Sequence, residues 1–314
     1  MPTDLAAFRF VDRDYLSAER RQALVVNLRG VPHPPPSLHK LVSPELLEVA
    51  NSNEISDLIM GETLIAAKVL ARVNSPFYGL RRPVVNIGQA VTFLGLNGVR
   101  SICLQYMLDE SFKANSPERR KVFDVVLGAS ALAGELCFKL CARLELPEQG
   151  SLVTQVVLSF LGHLATASLM PYDCILWSPG NGLIERTSAE QVRLGLSASE
   201  IGSLLMHEWE LPPGLIEDVR DIDRMLVTPT GVIEPNRGVR LALCYLCARL
   251  GERLALGSVT DLSTIDLKAD SSAELFHLRS HLNSPRLSRL VEFLHSAELV
   301  KSIHQMQRAI RTRS

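Results

Sequence analysis

Aromatic residues make up only 5% of the 314-residue chain, and no Asn-Gly pair lies between two runs of alternating apolar and polar residues. Period-two alternation, the mark of a half-buried strand, is hard to find over more than a few positions, so a β-sheet frame is excluded. A charge excess is missing too. The 33 basic and 34 acidic side chains give a formal net charge of -1, so no general field draws the chain to nucleic acid or anionic lipid. No Walker loop, dinucleotide-binding glycine fingerprint or GxSxG elbow is present. Nucleotide triphosphate hydrolysis and serine-hydrolase chemistry therefore have no starting point. The opening MPTDLAAFRFVDRDYLSAERR mixes acids and bases without the apolar core of a secretory signal, which implies a cytoplasmic chain. One stretch, Ser151 to Tyr172, is uncharged and long enough to cross a bilayer. Its Gln155, His163 and several Ser and Thr residues read as a buried core helix, and no membrane span is expected.

What the sequence does contain is helical periodicity. Val122, Val125, Val126, Ala129, Leu132, Ala133, Leu136 and Leu140 recur at threes and fours, as do Val239, Leu243, Leu246, Leu250 and Leu254. With 46% apolar and 21% charged residues, the composition is that of a packed globular chain. The expected class is all-α. Helix starts are marked at Ser43-Pro44, Ser116-Pro117 and Ser284-Pro285, where serine can accept from an orphan amide and proline at the first helical position sacrifices no bond. His33-Pro34-Pro35-Pro36 cannot be helical and divides the chain into an N-terminal appendage over residues 1–36 and a helical domain over 37–227. Further breaks fall at Trp177 to Gly182 and at Thr228 to Asn236. A C-terminal helical region over 228–314 follows, expected to pack on the same body. Within it, Leu287, Leu290, Leu294, Ala297, Val300, Ile303, Met306 and Ile310 predict one long amphipathic helix, which packs on the body or pairs with a second copy as a homodimer.

Among groups that carry chemistry, the six cysteines sit mostly in apolar helical patterns, where a reduced thiol acts as a small hydrophobe and no disulfide is expected. Cys137 and Cys141, one turn apart, with the CxxC of Cys244 and Cys247, have the spacing of a zinc site, but a CxxC within a helix is weak evidence for one. His277 and His281 share a helical face, a pattern met more often as an exposed turn than as a zinc bridge. The basic C-terminal KSIHQMQRAIRTRS complements a helix dipole as readily as it would meet phosphate.

Residues 62–108 are more specific. A helix, ETLIAAKVLARVN, runs into SPFYG, where Asn74 and Ser75 can close it by side-chain bonds to the backbone, Pro76 forbids its continuation and Gly79 permits a tight turn. Asn86 is placed to cap IGQAVTFLG, Gly95 to end it, and Asn97 to cap the next segment. Taken together, KVLARVNSPFYG and NIGQAVTFLGLNGVRSICL resemble the HDOD family, the bacterial HD-related output domain. Asn74-Ser75 at the helix end, the Tyr78-Gly79 corner and the Ala-Val-x-x-Leu-Gly-x-x-x-Val-Arg run, which includes Gly95, stand where that family has them. The likeness extends more loosely from about Arg20 to Pro213, and departs at Gly61-Glu62, where many members have Asp-Pro.

The resemblance implies an HD-like helical bundle with additional C-terminal helices. It also implies kinship with phosphohydrolases that hold divalent metal through several His and Asp ligands, but here His163 is followed by Leu164, which cannot coordinate anything. Earlier and later ligand positions fall near Ala129-Ser130, Ala198 and Ile222-Asp223, none of them histidine, and Asp124 and Asp173 do not complete a set. The expectation is no metal, no cofactor, no catalysis, and a regulatory role in signal transduction through binding other signalling proteins. His163 would then mark a residual cleft, and the alternative readings are a metal-free sensor of a nucleotide second messenger and, behind it, a divergent HD-type metal-dependent phosphohydrolase.

Overall fold

The computed structural model describes residues 2–34, 40–42 and 52–311. The Ser43-Pro44 helix start, the Pro35-Pro36 pair and the 36/37 division lie outside the described residues. The protein is 70% helical, with fourteen α-helices and no strand among the described residues. In chain order these are α1 (Thr3–Ala7), α2 (Ala18–Leu28), α3 (Ser52–Met60), α4 (Thr63–Val73), α5 (Ile87–Ser111), α6 (Pro117–Arg143) and α7 (Gln149–Leu169). They continue with α8 (Leu183–Leu194), α9 (Ala198–Glu208), α10 (Pro213–Arg224), α11 (Pro235–Ala255), α12 (Leu278–Leu282), α13 (Leu290–Leu294) and α14 (Ala297–Arg311).

Helix α7 is the axis of the molecule. It packs against α5, α6, α9, α10 and α11, and nearly every residue from Gly150 to Ala167 is buried. An uncharged sequence suits that position, because no side chain there reaches water. Gly162 on α7 and Gly202 on α9 let two backbones touch: a Cβ at Gly162 would lie 2.0 Å from the Ala198 carbonyl oxygen. By length and composition α5, α6 and α7 are all apolar enough to cross a membrane, whereas the sequence pointed to the last alone. The first two carry charges that a search for uncharged runs rejects. All three pack on one another, and α7 has 89% of its most apolar window buried.

The corner after α4 is built largely as expected. Asn74 donates from Nδ2 to the carbonyls of Leu70 (2.9 Å) and Val84 (2.8 Å), and its Oδ1 accepts from Val84 N (2.7 Å), so one side chain clasps the helix end to the returning chain. Ser75 does not share this work: its hydroxyl is buried and has no hydrogen-bond partner among the described residues. After Pro76 the turn closes at Gly79, whose φ of 56° lies in the left-handed region, with its N–H bonded to the Pro76 carbonyl. Tyr78 packs edge-on against Phe77 and Phe93, and burial pushes its phenol up to about 12. Asn86 caps α5 by accepting from Gln89 N (2.9 Å). At Gly95 (φ 71°, ψ 166°) the helix bends sharply but resumes, and Asn97 Oδ1 accepts from the Arg100 guanidinium.

The C-terminal region differs from the single long helix expected. A 3-10 turn at Pro285–Leu287, α13 and α14 replace it. The break falls at His295 and Ser296, where His295 Nε2 meets the Ile265 carbonyl (2.8 Å) and Ser296 Oγ accepts from Leu299 N to restart the helix. Apolar spacing survives the break because each short piece presents the same face to α6. Ser116 and Pro117 start α6 as expected, while Ser284 makes no side-chain cap and Pro285 opens only the 3-10 turn.

Candidate functional site

His163 lies on α7 one residue after the glycine that lets α9 approach, so its side chain enters the space where α7, α8, α10 and α11 converge. It is 1% exposed. Three carboxylates from three helices face it: Glu190 of α8 at 3.9 Å from Nδ1, Asp223 of α10 at 3.6 Å from Nε2 and Glu252 of α11 at 3.9 Å from Nε2. Two guanidiniums complete the centre. Arg186 bonds Glu252 at 2.6 Å, and Arg249 reaches Asp223 at 3.1 Å and Glu252 at 3.0 Å. Burial alone would lower the proton affinity of Arg249, but Glu252 and then Asp223 outweigh it and hold the guanidinium above its ordinary range.

Each carboxylate is thus engaged before any ligand arrives. Glu190 also accepts from Ala198 N (2.7 Å) and from Thr166 Oγ1 (3.3 Å), so it caps α9 and ties it to α7. Trp177 covers the centre from the loop after α7, edge-on to His163 at 5.3 Å and beneath the Arg186 guanidinium at 4.5 Å. The cavities beside it are small, about 10 Å³ next to Glu190 and about 190 Å³ next to Arg186 and Glu252.

A hydrolytic metal needs three or more protein ligands free to face it. Here two permanent cations already occupy Asp223 and Glu252 and would repel a divalent ion. Among the described residues no three His, Cys, Asp or Glu side chains are placed to hold a metal. Ala198 and Ser130 serve local structure, one as the amide that Glu190 caps and the other as a donor to the Val157 carbonyl (3.4 Å). The described residues of this centre do not fit a catalytic metal.

The remaining candidates separate clearly. Asn74, Ser75, Pro76, Tyr78, Gly79, Asn86 and Gly95 belong to the α4–α5 corner, not to the His163 centre. The four cysteines of the zinc spacing do converge between α6 and α11: hydrogen bonds to Cys141, Cys244 and Cys247, with burial, push the Cys137 thiol well above its usual range. Cys137 and Cys141 Sγ stand 3.8 Å apart, and all six cysteines are free thiols. Among the described residues no cysteine set is placed to hold a metal, and these buried thiols pack as small hydrophobes. His281 is buried, not in an exposed turn, and its Nε2 meets the Thr228 carbonyl at 2.9 Å. Sequence reasoning named His163 and, through the resemblance, the position of Asp223, but missed Glu190, Glu252 and the two arginines. The available signal was a set of charges inside apolar helical stripes, Arg186 with Glu190 and Arg249 with Glu252.

With this geometry in hand, the comparisons with known proteins are informative. The family model described as HDOD domain matches residues 31–225. No curated protein matches the chain in sequence. Among solved structures, an HDOD domain protein with unknown function from Geobacter sulfurreducens aligns with a TM-score of 0.64 at 17% identity, covering 94% of this chain and 98% of that one. A protein of Marinobacter aquaeolei VT8, provisionally described as a signal transduction protein, gives 0.66 at 18% identity over 98% of this chain and 68% of its own. A third, from Shewanella amazonensis SB2B and provisionally described as a phosphohydrolase, gives 0.59 at 18% identity over 92% and 98%. At these identities the likeness shows the fold alone.

Proposed function

This chain belongs to the HDOD family, and from that premise we propose that it is a non-catalytic regulatory protein of signal transduction that works by binding other proteins. The observation that carries the reading is the His163 centre. Asp223 and Glu252 are paired with Arg186 and Arg249, and Glu190 is hydrogen-bonded to Ala198 N and Thr166, so groups that could hold a metal and activate water are instead committed to holding helices together. A fold shared with hydrolases does not carry their chemistry, which resides in the site. The description of the Marinobacter neighbour as a signal transduction protein points the same way. The reading places the chain in the cytoplasm of a bacterium.

Two measurements on the purified full chain test it. Supplied with manganese or iron, the protein should hydrolyse neither mononucleotides nor cyclic dinucleotides, and metal-dependent turnover above a protein-free blank would overturn the non-catalytic reading. Tagged protein recovered from its native cells should bring down a partner that rebinds the purified chain at fixed stoichiometry. Failure of every recovered protein to rebind would overturn the interaction reading.

A further inference from the structure

The surface where α8 and α10 end is covered by a segment from outside the matched domain. The HDOD match begins at residue 31, whereas residues 8–12, between α1 and a 3-10 turn at Arg13–Tyr15, form no helix and lie across both helices. Both ends of the segment are extended, Phe8 at φ -77°, ψ 140° and Asp12 at φ -78°, ψ 143°.

Gln191 of α8 grips this segment by its backbone: Oε1 accepts from Val11 N (2.7 Å) and Nε2 donates to the Arg9 carbonyl (3.1 Å). One side-chain amide thus supplies the donor and acceptor that a neighbouring strand would, the main-chain half of peptide recognition. Side-chain contacts flank the grip. Phe8 is buried and meets the Phe10 ring edge-on at 5.0 Å, and the Arg224 guanidinium of α10 stands 5.8 Å from that ring and 3.8 Å from Asp12. Beyond them Leu16 packs on the glycine that ends α8, so closely that a Cβ at Gly195 would lie 2.7 Å from its Cδ1. The closure is imperfect all the same. Phe10, Val11 and Asp12 are only half-buried, and Arg224 Nε is shut away from solvent without a hydrogen-bond partner among the described residues. Segments with so few buried contacts open at the low end of local stability.

An extended segment from outside the domain, held on it by its backbone, has the form of a bound peptide. We propose that α8 and α10 form the docking site for an extended segment of a partner protein, which residues 8–12 occupy as a built-in competitor. The partner segment carries the pattern aromatic, any residue, aromatic, apolar, acidic, as Phe8 to Asp12 do here. This inference rests on the protein-binding reading and names its surface. Gln191 and Arg224 directly follow Glu190 and Asp223, so the site lies on two helices that also carry carboxylates of the His163 centre.

The probe is a dye-labelled peptide of residues 4–14, DLAAFRFVDRD, titrated into the full chain and read by fluorescence anisotropy. Phe10→Ala with Val11→Pro loosens the chain's own copy, since proline offers Gln191 no N–H, and leaves the site itself unchanged. The peptide should bind this double variant at one site per chain, and the wild type at least about tenfold more weakly, because a tethered competitor acts at high effective concentration. Adding Gln191→Ala should weaken binding by about tenfold, the loss of two hydrogen bonds. No saturable binding to the double variant, equal binding of a scrambled peptide, equal affinity in the wild type, or full affinity after Gln191→Ala would each overturn the proposal. If the double variant loses its cooperative melt, hydrogen exchange of the wild type decides: the Val11 amide should exchange at least about tenfold faster than the amides of α8, and exchange in step with them would overturn it. A partner from cells that rebinds with full affinity after Gln191→Ala would overturn this inference and leave the protein-binding reading standing.

Discussion

At the scale of single residues, Arg249 and Gly79 carry the sharpest consequences. Arg249 is 2% exposed and, among the described residues, the guanidinium that pairs with both Asp223 and Glu252. Replacing it by Met keeps the volume but leaves those carboxylates buried with one cation fewer, a change that costs ~3–5 kcal/mol in comparable buried pairs. Urea unfolding of Arg249→Met measures this directly, and a loss under ~1 kcal/mol would mean that the centre is not dry. Gly79 makes a gentler case. A Cβ there meets no atom within 4 Å, so any penalty comes from its φ of 56° alone. Gly79→Val should cost ~1–2 kcal/mol and Gly79→Asn clearly less, because asparagine visits the left-handed region. Equal losses in the two variants would point to packing instead of backbone strain. Both effects were unequally legible in the sequence. The glycine announces its turn through Pro76 and Asn74, whereas nothing near Arg249 names Asp223, which lies on another helix.

At the scale of elements, the α7–α9 crossing sets the tolerance of the core. Backbone meets backbone at Gly162 and Gly202, so Gly162→Ala must push two helices apart. The expected loss is ~3 kcal/mol or more, at the upper end of overpacking costs. A variant with unchanged melting temperature would show that the helices can slide. Around α12 the expectation concerns pH. Burial, with His281 close by, lowers the proton affinity of His277 in the folded state. The unfolded chain then binds more protons as pH falls through about 6.5, so stability should decline on acidification below that value. His277→Gln should remove part of this decline, read as melting temperature against pH. Periodicity alone located α6 and α11, because three- and four-residue spacing is a local property. It could not locate the break at Ser296, since two short helices that bury one common face keep the same spacing as one long helix.

At the scale of the whole molecule, the thiols report how tightly the body is closed. Cys103, Cys137, Cys141, Cys244 and Cys247 are buried, and burial pushes Cys103 up to about 12, whereas Cys174 is half-exposed on the loop after α7. One thiol should react quickly with Ellman's reagent in the native protein and all six after denaturation; several fast thiols would indicate a loosely packed core. The all-α class, the family and the corner could all be read from the sequence. The polar centre and the docking surface could not, since each is assembled from segments distant in the chain, and only folding brings their charges within reach. One last consequence concerns light. Trp177 rests beneath a guanidinium and against an imidazole, while the other tryptophan, Trp209, is fully enclosed in the core. The emission of Trp177 is therefore set by the charged groups it touches, and the protein carries an unlabelled optical gauge of its own interior.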